Sequence, residues 1–428
     1  MLEKEQLKQI LFEQKTSIAN KLFGVEREQL AKINNFKDLP HVVVITGLRR
    51  AGKSTFLRQI MSKYYNDKDF YYVSFEDERL FNFKADNFND IYEALIELFG
   101  EKKIFFIDEI QNIPHFERFV RRFYDSGFKF YITGSNANLL SREIGTKLTG
   151  RHIDLSISPF SFLEYLKFNN VKFNEELLYR TEERASLQNH FQQYLFEGGI
   201  PEFVKYGETD ILSRIYEDII IKDIAVRYGI TNLHEMRQLF QYLVTNFANR
   251  FSFTKLKNII GLGSVNTVKS YIQYLTDTFF ACTINKFDYS LKKQIVNEKK
   301  LYVIDNGFIP RISTKVTKDK GWFLENLVFN ELNKSQSISY YKDNKTECDF
   351  IVQTGSKITA AYQVCYKINL ENEKRESAGL LAVMNVFSLD CGTILTSDQE
   401  YELKIDDKKI LVKPVWKWLL QLQTSSVT

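Results

Sequence analysis

Cysteine is scarce and scattered in this 428-residue chain: Cys282, Cys348, Cys365 and Cys391 form no C-x-x-C pair. That spacing argues against a zinc site or a disulfide framework. The five histidines, His41, His115, His152, His190 and His234, fall at no metal-ligand spacing and read as structural or exposed. No run of about 18 apolar residues occurs to span a bilayer. The opening MLEKEQLKQILFEQK lacks the long uncharged stretch of a secretion signal, so a reducing cytoplasm is the expected location. Neither sign of charge dominates, because 58 basic and 54 acidic side chains leave only +4. A nucleic-acid partner would therefore need a local basic patch. Internal repeats and low-complexity stretches are missing too.

What is present is the composition of a folded globular protein, 44% hydrophobic and 26% charged, at a length that calls for two or three domains. Residues 1–40 carry apolar positions at helical spacing (Leu7, Ile10, Leu11, Leu30, Ile33) and read as a helical lead-in that docks on the first domain. Residues 41–156 hold short apolar runs, HVVVITG, FYYVSFED, KIFFIDE and FKFYITGSN, separated by segments of helical length. Such alternation predicts a parallel sheet buried on both faces, with ligands at the carboxyl ends of its strands. Residues 157–230 read as a helical lid or connector. Residues 231–287 contain two short helices, FTKLKNIIG and VNTVKSYIQYL, across the turn GLGS, a helix-turn-helix pattern with Leu256, Ile259, Ile260, Val268, Tyr271, Ile272 and Leu275 as its expected core. Residues 288–428 return to mixed strand and helix.

The segment GLRRAGKS at 47–54 follows a strand-like run and precedes a helix-like one, which is the context a phosphate-binding loop requires. Glycines let backbone N–H groups curl around phosphates, Lys53 reaches the terminal phosphates, and Ser54 ligates magnesium. Gly47, Arg49, Arg50, Ala51, Gly52, Lys53, Ser54 and Thr55 are the expected contacts to ATP. At the end of the run IFFI stand Asp108 and Glu109. Asp108 is expected to hold Mg2+ through its water shell and Glu109 to polarise the attacking water. The following run ends in Gly134-Ser135-Asn136, where Asn136 or Ser135 would sense the terminal phosphate. Arg151 is the candidate charge stabiliser, with Arg121, Arg122 and Arg142 as competitors. If Arg151 acts across an interface, a homo-oligomer follows.

The stretches GLRRAGKST, FFIDEIQNI, YITGSNANLL, LTGRHIDLSISPFSFLEYL, EGGIPEF, YVIDNGF, GWFLENLVFNEL and ECDFIV together resemble the prokaryotic AAA+-type ATPases that carry a C-terminal domain of unknown function, DUF4143. The resemblance implies an α/β fold: a P-loop NTPase core, a helical lid, a winged-helix domain and a C-terminal nuclease-like domain. The helix-turn-helix region is similar to winged-helix domains, with Ser264, Asn266, Thr267, Lys269 and Ser270 at or near the start of its second helix. Lysines 255, 257, 269, 292, 293, 299 and 300 tilt the reading towards DNA. The last domain resembles the PD-(D/E)xK nucleases, which implies a magnesium site at Glu325, Asp349 and an E-x-K element. Here that element reads Gln363-Val364-Cys365, with Lys367 two residues further on, so a degenerate site is expected. Three functions follow for weighing. An ATP-driven protein could remodel DNA, with branched DNA as one substrate class; a nucleotide switch could recruit a protein partner; an ATP-regulated nuclease is the third.

Overall fold

The computed structural model describes residues 3–20, 23–136, 150–314, 319–334 and 336–425. Two compact units divide the chain: Met1–Pro159 with Asp277–Phe279, and Phe160–Thr276 with Phe280–Thr428.

In the first unit the apolar runs become β1 (Val42–Thr46), β2 (Phe70–Ser74), β3 (Ile104–Asp108) and β4 (Lys129–Gly134), joined by β5 (His152–Ser156). All pair in parallel, in the order β2-β3-β4-β1-β5. Every residue of β1 is buried, as expected for a strand covered on both faces. The register places Thr46 beside Gly134, and Asp108 ends the strand on the other side of β4. The carboxyl ends of three adjacent strands, at Thr46, Asp108 and Gly134, therefore lie side by side. Aromatic packing fixes that arrangement: Phe105 stacks on Phe130 at 5.3 Å and Phe106 on Tyr131 at 4.7 Å. The helix Lys4–Asn20 buries Leu7, Ile10 and Leu11. Its Gln14 caps the end of the edge strand β2, accepting from Ser74 N at 2.9 Å and donating to Ser74 O at 3.0 Å.

The second unit begins with helices over Phe162–Phe168, Thr181–Glu197, Pro201–Tyr206 and Thr209–Asp218. The element order then runs helix (Leu233–Thr245), β6 (Arg250–Phe251), helix (Phe253–Ile260), helix (Val265–Asp277), β7 (Ala281–Asn285) and β8 (Lys299–Val303). β8 pairs antiparallel with both β6 and β7, so this sheet runs past residue 287. Leu256, Val268, Tyr271, Ile272 and Leu275 are buried here, but Ile259 is exposed, and Leu262 in the turn is buried in addition. Beyond it lies a six-stranded mixed sheet in the order β13-β14-β12-β11-β10-β9, made of β9 (Ser337–Lys342), β10 (Glu347–Thr354), β11 (Lys357–Val364), β12 (Cys391–Thr396), β13 (Tyr401–Ile405) and β14 (Lys408–Pro414). The helix Glu373–Val386 lies close to it, since a Cβ on Gly379 would stand 1.9 Å from Glu347 O.

The motif segments of this unit interlock. The buried Asp305 accepts from Gly199 N at 2.6 Å and from Gly307 N at 2.9 Å. Asn306 donates to Leu195 O and Phe323 O at 2.7 and 2.9 Å. Burial pushes the Asp305 carboxyl up to about 6, against the pull of its two N–H donors. Any side chain at Gly198 would collide, because its Cβ would lie 1.8 Å from Asp305 Oδ1. Among the described residues no helix is long and apolar enough to cross a membrane.

Candidate nucleotide site

The loop after β1 is shaped by positions that side chains cannot occupy easily. Gly47 has φ +147°, and a Cβ there would sit 2.2 Å from Ile157 O. Gly52 takes the left-handed conformation, φ 97°, and leads into the helix Lys53–Tyr64 with no side-chain cap on that helix's first turn. An uncapped helix start presents free N–H groups and a positive dipole end to an anion. Arg50 is also left-handed at φ 66°, and Arg49 is half-buried while Thr55 is exposed at the helix start.

Lys53 is buried and donates to Gly47 O at 3.2 Å and Leu48 O at 3.1 Å, with Glu109 Oε1 3.6 Å away. Asp108 accepts from the Thr133 hydroxyl and from the Ser54 hydroxyl. Thr133 Oγ1 in turn accepts from Glu109 N at 2.9 Å. Glu109 sits at φ 51°, a left-handed conformation that is costly for a residue with a Cβ and clusters at functional sites. Gln111 donates to Glu109 Oε2 and, at 3.4 Å, to Ser135 Oγ. Ser135 and Asn136 are both buried at the end of β4.

The two carboxyls differ electrostatically. Burial pushes Asp108 up to about 6, with the Glu109 charge adding to the rise and the two hydroxyl donors opposing it. Burial acts on Glu109 in the same sense, but the Lys53 ammonium, the Gln111 amide and the Arg49 charge outweigh it and hold Glu109 below its ordinary value. The surroundings thus favour the charged form of Glu109 and oppose that of Asp108.

One contributor carries no motif. Arg27, in the lead-in, is buried and donates from Nη1 to Ala51 O at 2.8 Å, which ties down the crown of the phosphate loop. Its own backbone N donates to Gln59 Oε1 at 3.1 Å, and Gln59 Nε2 donates to Phe23 O at 3.0 Å. The only sequence signal is an arginine beside the apolar pair Phe23 and Val25.

Arg151 is not part of this constellation. It immediately precedes β5, whose His152 pairs with Val42 at the start of β1, so it stands at the amino end of the sheet while the loop leaves the carboxyl end. There it binds Asp125 Oδ1 at 2.7 Å. Within one chain it therefore does not reach the phosphate loop. Arg121 lies 3.8 Å from the same Asp125, and Arg122 donates to Asn89 at 2.6 Å. Arg142 lies outside the described residues.

In the second unit Glu325, Asp349 and Gln363 do come together: Asp349 N donates to Gln363 Oε1 at 3.3 Å, and Glu325 and Asp349 share one lysine. Lys367 does not join them. β11 ends at Val364, so the strand alternation that would have aimed Lys367 inward is lost, and the residue is exposed. The shared lysine is Lys300, which is buried and so unavailable to DNA phosphates, whereas Lys255, Lys269, Lys292 and Lys293 are exposed.

The parallel sheet with its phosphate loop defines a P-loop fold, and residues 40–166 match the AAA domain family. Residues 188–319 match a domain of unknown function, DUF8612, a different one from the DUF4143 expected. The chain is 36% identical to the uncharacterized protein MJ1544 of Methanocaldococcus jannaschii over 96% of this chain and 96% of that one, and it belongs to that protein's family. An uncharacterized protein of Haemophilus influenzae is 29% identical over 93% of this chain and 99% of its own. Among solved structures, the Aeropyrum pernix Orc1 protein in complex with DNA is similar at TM-score 0.30 and 10% identity, covering 70% of this chain and 95% of that one. The Thermotoga maritima RuvB Holliday junction branch migration motor reaches TM-score 0.28 at 16% identity, covering 66% and 89%. Likenesses this loose align no site and no surface.

Proposed function

We propose that the chain binds ATP with Mg2+ at the phosphate loop, hydrolyses it, and uses the nucleotide state to act on DNA. The convergence of Lys53, Ser54, Asp108 and Glu109 at neighbouring strand ends carries the first part. The glycine cradle at 47 and 52 and the uncapped helix fit a polyphosphate, and the Asp108–Ser54 oxygen pair fits Mg2+. When bound, Mg2+ and ATP supply the transferable phosphoryl group and a cation that spreads its charge. Lys53 exchanges the carbonyls of Gly47 and Leu48 for phosphate oxygens. Asp108 and Ser54 hold the cation, and Glu109, fixed by Gln111 and Thr133, accepts a proton from water. Arg27 keeps the loop in shape from behind.

The DNA part is supported by the element order from Leu233 to Val303, which we read as that of a winged helix. Asn266 and Lys269 on its second helix and Lys292 and Lys293 in its β7–β8 hairpin are exposed, where phosphates could meet them. The test is the ATP hydrolysis rate without DNA and with single-stranded, duplex and four-way-junction DNA. Stimulation by at least one form is expected, together with DNA binding that weakens as salt rises and is reduced by Lys292→Glu with Lys293→Glu. Unchanged turnover with every DNA and no salt-sensitive binding would sink the DNA reading. One observation favours a second reading, a nucleotide switch that recruits a protein: Tyr289, Leu291, Ile295 and Val296 are all exposed on the same hairpin.

A further inference from the structure

The resemblance to metal-dependent nucleases implies a divalent cation between Glu325 and Asp349, and the side chains present do not fit one. β8 carries Lys300 into the space between the helix Lys320–Leu332 and β10. Its Nζ lies 3.1 Å from Glu325 Oε1, 3.1 Å from Glu347 Oε1 and 3.3 Å from Asp349 Oδ1. An ammonium has three N–H donors, and three carboxylates take them. The other contacts of this cluster are also made. Tyr302 donates its hydroxyl to Glu325 Oε1 at 2.7 Å, Val364 N donates to Asp349 Oδ2 at 3.0 Å, and Glu347 Oε2 meets Arg250 at 3.4 Å and Lys342 at 3.2 Å.

Cations already face these carboxylates without a metal: Lys300 meets all three, and Lys342 and Arg250, the latter shared with Glu298 at 3.1 Å, meet Glu347. Gln363, where a carboxylate ligand would stand, spends its amide on the Asp349 backbone and on Glu376 Oε2, the latter at 3.0 Å. Among the described residues no group of three or more His, Cys, Asp or Glu side chains is gathered to hold a metal ion. The Lys300 side chain is only 4% exposed, so a divalent ion could enter only by expelling a buried and fully hydrogen-bonded ammonium.

We propose that Lys300 is a tethered cation standing where a divalent metal would stand, so that this site is closed to Mg2+ and Mn2+ and holds its elements together without either. A lysine attached to β8 cannot diffuse away, unlike a bound ion. Without a metal the site cannot generate the hydroxide that metal-dependent phosphodiester cleavage uses. The domain then serves as a coupling element: β8 belongs to the three-stranded sheet, and the three carboxylates belong to the helix and strand that follow it.

The probe is Mn2+, titrated into the full-length, nucleotide-free protein and followed by the electron paramagnetic resonance signal of the free ion. All variants carry Asp108→Asn, which removes the cation ligand of the nucleotide site. With Lys300 in place, no Mn2+ site sensitive to Glu325→Gln is expected. Lys300→Ala is expected to gain one Mn2+ site, lost again when Glu325→Gln is added, and its melting temperature is expected to rise with Mn2+. A Mn2+ site that Glu325→Gln abolishes while Lys300 is present would overturn the proposal. So would a folded Lys300→Ala protein that binds no Mn2+. If Lys300→Ala does not fold, Lys300→Gln, which keeps a donor and most of the stem, is read by the same outcomes.

Discussion

Glu109→Gln is expected to leave ATP binding intact and to slow hydrolysis by about 10²–10⁴-fold, the range that a positioned general base contributes. The substitution keeps the shape of the side chain but removes its negative charge, and with it the capacity to take a proton. The environment supports that assignment: the Lys53 ammonium, the Gln111 amide and the Arg49 charge hold Glu109 ionised although burial opposes it. The left-handed backbone at φ 51° turns the residue out of the line of β3, away from Asp108, which stays with Ser54 and Thr133. Binding is measured with a fluorescent ATP analogue and hydrolysis by phosphate release. A Gln variant that hydrolyses at the wild-type rate would move the base elsewhere.

The second large effect is on stability. Lys300→Met fills most of the same volume but leaves Glu325, Glu347 and Asp349 without their common counter-ion. Breaking a buried pair by removing one partner costs about 3–5 kcal/mol, which lowers the melting temperature by roughly 3–6 °C at this chain length. Burial by itself would lower the lysine's pKa, but the three carboxylates outweigh it and raise it; Lys300 is charged at every pH of interest. Asp349 is already pushed up to about 7 by burial and by the Glu325 charge. Without the ammonium, whose charge opposes that rise, Asp349 binds its proton still more tightly when folded than when unfolded, so the variant loses stability as pH rises. The gap between wild type and Lys300→Met, read by thermal melts, should be wide at pH 8 and narrow towards pH 5. A gap independent of pH would mean that the lysine acts by packing alone.

The parts legible in the sequence were those in which chemistry forces neighbouring residues together. A phosphate loop must be contiguous, and Asp108 and Glu109 end an apolar run, so both could be placed from spacing alone. β5 was harder to see: as an edge strand it exposes one face, and His-Ile-Asp-Leu-Ser lacks the continuous apolar character of β1. Missing that strand hid the fact that Arg151, which precedes it, must lie at the wrong end of the sheet. Lys367 lies beyond Val364, where β11 stops, so strand alternation does not decide where it points. Arg27 has only the apolar neighbours Phe23 and Val25 as a local signal, and Lys300 has none. Their partners are distant in sequence, Ala51 for the first and residues 25 to 49 positions away for the second, and only folding brings them together.

The measurement that tests the central claim most directly is ATP hydrolysis by the purified protein beside Lys53→Ala at equal concentration. Lys53 holds loop carbonyls that phosphate oxygens would replace, so the account predicts Mg2+-dependent turnover in the wild type and turnover near background in the variant, with ATP binding weakened. Equal rates in the two proteins, or a wild type that neither binds nor turns over ATP, would contradict it.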